Sequence, residues 1–328
     1  MKFPLADWID DHSDCRYDLG TSGMRGSVEH PFPTDSEVRA ADPEALRREF
    51  ADSLDVDPRR VFLTHGASEG NAGVIWFLAQ RYRNQRPRCR IRYPEYPPLF
   101  DAARWAGFEL SDSDAPAALA ISSQPRNPEG DLWTTNRLDD WSDRTRALLV
   151  DETYLEFANR PSRVHLSRPG VWVTGTLTKY FAGDDLRVGF VAVPDDERSG
   201  YERFHGVTFD EIPPVSVAGA LATLRARGSI RREVSRVMER NRAAYRRAFP
   251  RRPVPEAPVF FDREVVPDGD EFARRCLSAS VLVCPGSFFG DLSGVRLSLT
   301  RRNFSRALRA YLTVRENARR LGPSPLTG

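Results

Sequence analysis

The chain has 328 residues, 40% of them apolar and 10% aromatic, which is enough for a sizeable core in one large or two moderate domains. Its 48 basic and 46 acidic residues leave a net charge of +2, so basicity gives no nucleic-acid signature, and the longest apolar run, around Ala72 to Ala79, is too short to span a bilayer. Four cysteines (Cys15, Cys89, Cys276, Cys284) without CxxC spacing and five histidines without metal-like pairing argue against a disulfide frame or a metal site, and for reduced thiols in a cytoplasmic protein.

In chain order, the N-terminal MKFPLADWIDDHSD is acidic and lacks the apolar stretch of a secretory signal. From about residue 46 to 195 short apolar runs alternate with helix-period stretches. The expected strands are Val61 to Leu63, Cys89 to Tyr93, Ala117 to Ile121, Ala147 to Val150, Val171 to Val173 and Val188 to Val193; the expected helices include Asn71 to Tyr82 and Pro98 to Ala106. This alternation predicts an α/β fold: a three-layer α/β/α domain with a mostly parallel sheet, whose ligands bind beyond the carboxyl ends of the strands. After Pro213-Pro214, residues 215–248 read as two helices around Gly228, the second with apolar positions Ile230, Val234, Val237, Met238 and Tyr245. Val254 to Leu312 reads as strand, helix, strand, turn, strand, helix, a smaller α+β unit. The expected division is a large domain over residues 46–225 and a small one over 1–45 plus 226–328, with a disordered tail after Leu321. Arginines on the 229–248 helix are interspersed with acids and read as a solvated face.

Only two of the 48 basic residues are lysine, Lys2 and Lys179. Arginine supplies charge and phosphate contacts as well as lysine does, but it cannot become a neutral amine, so by composition the single internal lysine is either a position that needs amine chemistry, most often a Schiff base, or one lysine that survived drift in an arginine-rich chain, and its neighbours decide between the two. The polar residues at the strand ends form an ordered set around it. The first strand runs through Thr64-His65-Gly66-Ala67-Ser68-Glu69-Gly70 into a helix, a seat for phosphate. The third leads to Asn127-Pro128-Glu129-Gly130. The fourth ends in Asp151-Glu152-Thr153-Tyr154, and a carboxylate at a buried strand end needs a cationic or N–H partner. The fifth ends in Thr176-Leu177-Thr178-Lys179 with Arg187 eight residues on, which places hydroxyls and a guanidinium beside the amine.

That order, over roughly residues 17–315, resembles the fold-type I pyridoxal-phosphate enzymes of the class I/II aminotransferases, with the histidinol-phosphate aminotransferase-like branch nearest. The resemblance implies pyridoxal 5'-phosphate as cofactor, linked to Lys179, which also shuttles the proton at the substrate Cα. It implies that Asp151 pairs with the pyridinium nitrogen, that Tyr154 and Asn127 bond the ring's phenolic oxygen, and that Tyr96 in Pro94-Glu95-Tyr96 stacks on the ring. Ala67, Ser68, Thr176, Thr178 and Arg187 would hold the phosphate. Arg296, in Val295-Arg296-Leu297-Ser298-Leu299, would grip the substrate carboxylate, and the segment Leu19-Gly20-Thr21-Ser22-Gly23-Met24-Arg25 would close over the substrate, with Gly20 and Arg25 on its substrate side. The implied reaction is transfer of an amino group between an amino acid and a 2-oxo acid, in a homodimer, with no nucleic-acid or membrane partner.

The chain departs from the family's pattern at several points. Ala182-Gly183-Asp184-Asp185 replaces a glycine-rich spacing with two carboxylates, no tyrosine stands near Ala40-Ala41, and Thr300 stands where a glycine is expected. Because the cofactor stabilises any Cα carbanion, a lyase, decarboxylase, cyclase or oxidase is the alternative reaction type, and a non-catalytic regulatory protein that binds the same cofactor is a further one.

Overall fold

Short runs of Val, Ile and Leu buried on both faces demand a sheet covered on both sides, and that is what the computed structural model, which describes residues 4–82, 85–162, 166–266 and 268–321, contains. In chain order the elements are α1 (Pro4–Asp11), β1 (Tyr17–Asp18), α2 (Asp35–Arg39), α3 (Pro43–Leu54), β2 (Val61–Thr64), α4 (Ala67–Ala79), β3 (Arg88–Ile91), α5 (Pro97–Trp105), β4 (Glu109–Ser111), β5 (Leu119–Ser123), α6 (Thr135–Asp143), β6 (Leu148–Asp151), α7 (Leu155–Ala158), β7 (Val171–Thr176) and β8 (Gly189–Ala192). They continue as α8 (Arg198–Thr208), α9 (Pro214–Arg225), α10 (Arg227–Ala248), β9 (Val259–Asp262), α11 (Gly269–Ser278), β10 (Val281–Leu282), β11 (Cys284–Pro285), β12 (Val295–Ser298) and α12 (Phe304–Leu321).

Seven strands form the main sheet in the order β2-β8-β7-β6-β5-β3-β4. β7, β6, β5, β3 and β4 are mutually parallel, while β8 runs antiparallel to both β7 and β2. The α/β architecture with a mostly parallel sheet is therefore as expected. Residues following β2, β5, β6 and β7 share one rim of the sheet, and so do the residues that precede the reversed strand β8. One face is covered by α4, α5 and α8, with Val74, Ile75, Leu78, Leu99 and Tyr201 packed on Trp172, Leu149 and Ile121. On the other face a larger cluster runs without a break from Val61, Val150 and Val173 through α10 to Val259, Leu297 and Tyr311.

The smaller sheet is antiparallel, in the order β11-β12-β9. Its central acid, Asp262, is fully buried and accepts from Arg252 (2.8 Å) and from the Tyr311 hydroxyl (2.6 Å), with Arg315 Nε 3.0 Å away. The N-terminal segment returns to this unit: β1 pairs in parallel with β10, Ser298 donates its N–H to the Leu19 carbonyl (2.8 Å), and Trp8 of α1 donates Nε1–H to the Val283 carbonyl (2.8 Å).

The observed main-sheet strands match the expected runs to within two residues at each end, except that β7 runs three residues past Val173 to Thr176. The helix break expected at Gly228 falls instead at Ala226, between α9 and α10, and Gly228 lies in the first turn of α10, whose buried residues include Ile230, Val234, Val237, Met238 and Tyr245. The expected tail after Leu321 lies outside the described residues. Among the described residues no helix is long and apolar enough to cross a membrane, and no cluster of residues could hold a metal ion. All four cysteines are free.

Candidate active site

The shared rim of the main sheet, together with α1 and β12, encloses a cavity of about 300 Å³. Ala67, Ser68, Tyr96, Asn127, Asp151, Tyr154, Thr176, Thr178, Lys179, Arg187 and Arg296 all line it. Eleven positions spread over 230 residues of sequence are thus brought to one place by the topology of the sheet.

The turn between β2 and α4 is built for close approach. Gly66 has φ +92° and caps α4 without any side-chain hydrogen bond, so the first N–H groups of the helix stay open toward the cavity. A Cβ on Gly66 would lie 3.2 Å from Arg187 Nη2, and one on Gly189 would fall 2.8 Å from the Ala67 nitrogen. At the end of β7, Thr176 Oγ1 donates to the Val188 carbonyl (2.8 Å) and accepts from the Thr178 N–H (3.2 Å). Arg187 sits just before β8 with φ +53° and donates to the His65 carbonyl (3.4 Å). Open helical N–H groups and a guanidinium, with two hydroxyls beside them, form a donor-rich cradle suited to a phosphate.

Asp151 ends β6 and is buried. Its Oδ2 accepts from Asn71 Nδ2 (2.7 Å) and its Oδ1 from the Thr153 N–H (2.9 Å); Asn71 Oδ1 in turn accepts from Thr174 Oγ1 (2.6 Å). Burial pushes the carboxyl pKa up, opposed by the Thr153 and Asn71 hydrogen bonds. A cationic N–H entering the cavity would hold this group as a carboxylate. The Tyr154 hydroxyl donates to Ser22 Oγ (2.6 Å) and lies 3.5 Å from Asn127 Nδ2. Burial and neighbouring acidic groups push the Tyr96 hydroxyl well above its ordinary range.

Lys179 points into the cavity with its side chain one-third exposed, and its Nζ lies 3.6 Å from Asp184 Oδ1. Burial lowers the pKa of the amine; Asp184 opposes this, and Arg187 and Arg296 add to the lowering. Arg296, on β12, is 1% exposed. Its Nη1 donates to Asn127 Oδ1 (3.4 Å), its Nη2 to the Gly20 carbonyl and to Cys284 Sγ, and the guanidinium lies over the Phe289 ring. Its Nε has no hydrogen-bond partner, and among the described residues no carboxylate pairs with it. A buried cation without a counter-ion is costly, and an anionic ligand removes that cost.

Two expected substrate-side residues take other places. Gly20 serves through its carbonyl, which holds Arg296. Arg25 is exposed and paired with Asp185 (3.0 Å), so it is not brought to the cavity wall. Several participants carry no sequence signal: Asn71 is one polar residue in an apolar helix, Ser22 and Ser123 are ordinary hydroxyls, and Leu5, Ala6, Ile9 and Asp10 wall the cavity from a terminal helix.

The model of the aminotransferase class I and II family matches residues 43–310. The chain belongs to that family. A histidinol-phosphate aminotransferase of Natronomonas pharaonis is 26% identical over 304 residues, covering 85% of this chain and 83% of that protein. A histidinol-phosphate aminotransferase of Haloarcula marismortui is 26% identical over 208 residues, and an aspartate aminotransferase of Thermococcus kodakarensis 30% identical over 204; in both, the matched stretch spans 55% of the relative's length. Among solved structures, an aspartate aminotransferase from Thermus thermophilus with maleate superposes with a TM-score of 0.75 at 17% identity, covering 96% of this chain and 97% of that one. An aminotransferase from Helicobacter pylori gives 0.77 at 18% identity, with 97% and 99% coverage. These likenesses show the fold-type I architecture across nearly the whole chain, and the resemblance read from the strand-end residues is borne out.

Proposed function

We propose that this member of the aminotransferase family is a pyridoxal 5'-phosphate-dependent enzyme that moves an amino group between an amino acid and a 2-oxo acid. The carrying observation is that Arg296, a buried guanidinium with no counter-ion among the described residues, opens on the same cavity as Lys179, the one internal primary amine. Together they are suited to an α-amino acid: a carboxylate for one and a reacting amino carbon for the other.

The residues present fit the cofactor. The donor-rich cradle of Ala67, Ser68, Thr176, Thr178 and Arg187 suits its phosphate, Asp151 its ring nitrogen, Asn127 and Tyr154 its ring oxygen, and Tyr96 lines the cavity as a stacking surface. When bound, pyridoxal phosphate supplies an electron sink for a carbanion at the substrate Cα. Asp151, anchored by Asn71 and Thr153, presents a fixed negative charge that cannot swing away. Tyr154, held by Ser22, keeps its hydroxyl in register. Lys179 carries the amine to be linked, and burial, by lowering its pKa below that of a free lysine, eases the release and return of a proton. Arg296, held by the Gly20 carbonyl and Asn127, fixes the carboxylate end of the substrate so that its Cα lies within reach of Lys179. A homodimer and a cytoplasmic location, with the four thiols reduced, belong to the same reading.

Borohydride reduction of the protein with added pyridoxal phosphate tests it. The expected result is a reduced adduct on the peptide containing Lys179, absent from Lys179→Arg, and release of a 2-oxo acid when the unreduced protein meets a panel of amino acids. An adduct that persists in Lys179→Arg would overturn the assignment.

A further inference from the structure

The loop between β7 and β8 holds a carboxylate that the reaction above does not use. Asp184 lies five residues past Lys179, its Oδ1 is 3.6 Å from Lys179 Nζ, and its side chain is 19% exposed. Its other oxygen, Oδ2, is buried with no hydrogen-bond partner. The loop is pinned at both ends: the Gly183 N–H donates to the Leu177 carbonyl (3.4 Å), the Leu186 N–H to the Gly183 carbonyl (3.1 Å), and Ala182 and Arg187 both adopt positive φ. Positive φ at non-glycine residues is disfavoured and persists only where the surroundings impose it. The carboxylate is therefore held at the amine by the backbone, not delivered by a mobile side chain.

We propose that Asp184 is a positioning residue for Lys179, docking the ε-amino group as an ammonium ion at the cavity wall whenever it is not covalently engaged. The inference rests on reading Lys179 as the covalent lysine. The charged groups that act on Lys179 are Arg187 before β8, Arg296 on β12 and Asp184 itself, and Asp184 is the one that favours the charged form. Asp185 and, less strongly, Asp184 also act through their charge on the half-buried His30, and Asp185 is engaged by the exposed Arg25. Two arginines push the released amine toward neutrality and away from themselves, and Asp184 offers the counter-charge that receives it. Each time Lys179 is set free it returns to the same place and keeps its proton until that proton is needed.

The test uses the full-length protein without added cofactor. Lys179 is acetylated with acetic anhydride across a pH series, and its modification is followed at the peptide level, so that Lys2 and the α-amine do not interfere. The rate follows the neutral fraction of the amine. In Asp184→Asn the inflection is expected to fall by about one pH unit, with modification about tenfold faster near pH 7.5. Asp184→Glu is expected to stay near wild type, and so is Asp185→Asn. If Asp184→Asn does not fold, Asp184→Ser, a smaller polar variant, makes the same comparison. A wild-type inflection in Asp184→Asn or Asp184→Ser, or an equal shift in Asp185→Asn, would overturn the inference. Borohydride trapping of wild-type protein is read separately. A trapped Lys179 with an unshifted inflection removes the role of Asp184 and leaves the function standing, whereas a shifted inflection with an untrapped Lys179 leaves the ion pair and removes the function.

Discussion

Glu95 is buried directly behind the cavity wall and sets the backbone of two residues that form it. Its Oε1 accepts from Ser123 Oγ (2.5 Å) and the Tyr96 N–H (2.7 Å), its Oε2 from the Ser123 N–H (3.0 Å), and Ser123 Oγ in turn accepts from the Asn127 N–H (2.9 Å). Burial pushes its pKa up to about 7, against the hydrogen bonds from Ser123 and Tyr96. In the unfolded chain the same group titrates near its ordinary 4.5. Between these values the folded state holds a proton that the unfolded state has released, so stability falls as pH rises through the window. The loss is on the order of 3 kcal/mol by pH 7. Glu152, buried and bonded to Ser162 (2.5 Å), is also pushed up to about 7 and contributes with the same sign. Glu95→Gln is therefore expected to reduce the fall in unfolding free energy between pH 5 and 7.5 by roughly half, measured by urea titration at each pH. A variant with the wild-type slope would show that Glu95 is already ionised in the folded protein.

At the scale of elements, the cradle proposed for phosphate depends on how closely β2, β7 and β8 approach. Gly189 is the pinch point: a Cβ there would lie 2.6 Å from the Gly175 carbonyl oxygen, 2.7 Å from Gly66 C and 2.8 Å from Ala67 N, all backbone atoms that cannot swing aside. Gly189→Ala is expected to cost about 2–3 kcal/mol of stability and to weaken pyridoxal phosphate binding, because it forces the open N–H groups of α4 away from Thr176. Denaturant titration and an absorbance titration with the cofactor measure the two effects, and a variant unchanged in both would mean the cradle is looser than the contacts require. The strands of this cradle were legible in the sequence because each is a run of β-branched and aliphatic residues ended by a polar turn, and Lys179 stood out because arginine had replaced lysine elsewhere. β4 was not legible: Glu109-Leu110-Ser111 is an edge strand, half in water, with no alternating pattern long enough to read. β1 and β10 are two residues each and exist only through their mutual pairing. The Asn71–Asp151 and Ser22–Tyr154 contacts span 80 and 132 residues, and no local rule brings such partners together.

For the molecule as a whole, the two sheets share one apolar interior. The cluster that covers one face of the main sheet continues through Met238, Val237 and Tyr245 of α10 to Phe260, Leu297 and Phe304, so neither sheet closes a core without the other. A single unfolding transition is expected despite the two sheets, with calorimetric and van't Hoff enthalpies in agreement and, for a homodimer, a midpoint that rises with protein concentration. Two separated transitions would show that residues 259–298 unfold on their own.

The reversal of β8 has a consequence for how the chemistry is encoded. A parallel strand in its place would have carried Arg187 and Gly189 to the far edge of the sheet, and a long crossover would have been needed to bring them back. Running backwards, the hairpin from Val171 to Ala192 gathers the Lys179 amine, the Asp184 carboxylate and the Arg187 guanidinium within nine consecutive residues. That stretch is a cassette whose internal spacing does not depend on the length of any other loop, while Arg296 is brought to the same cavity from a distant segment.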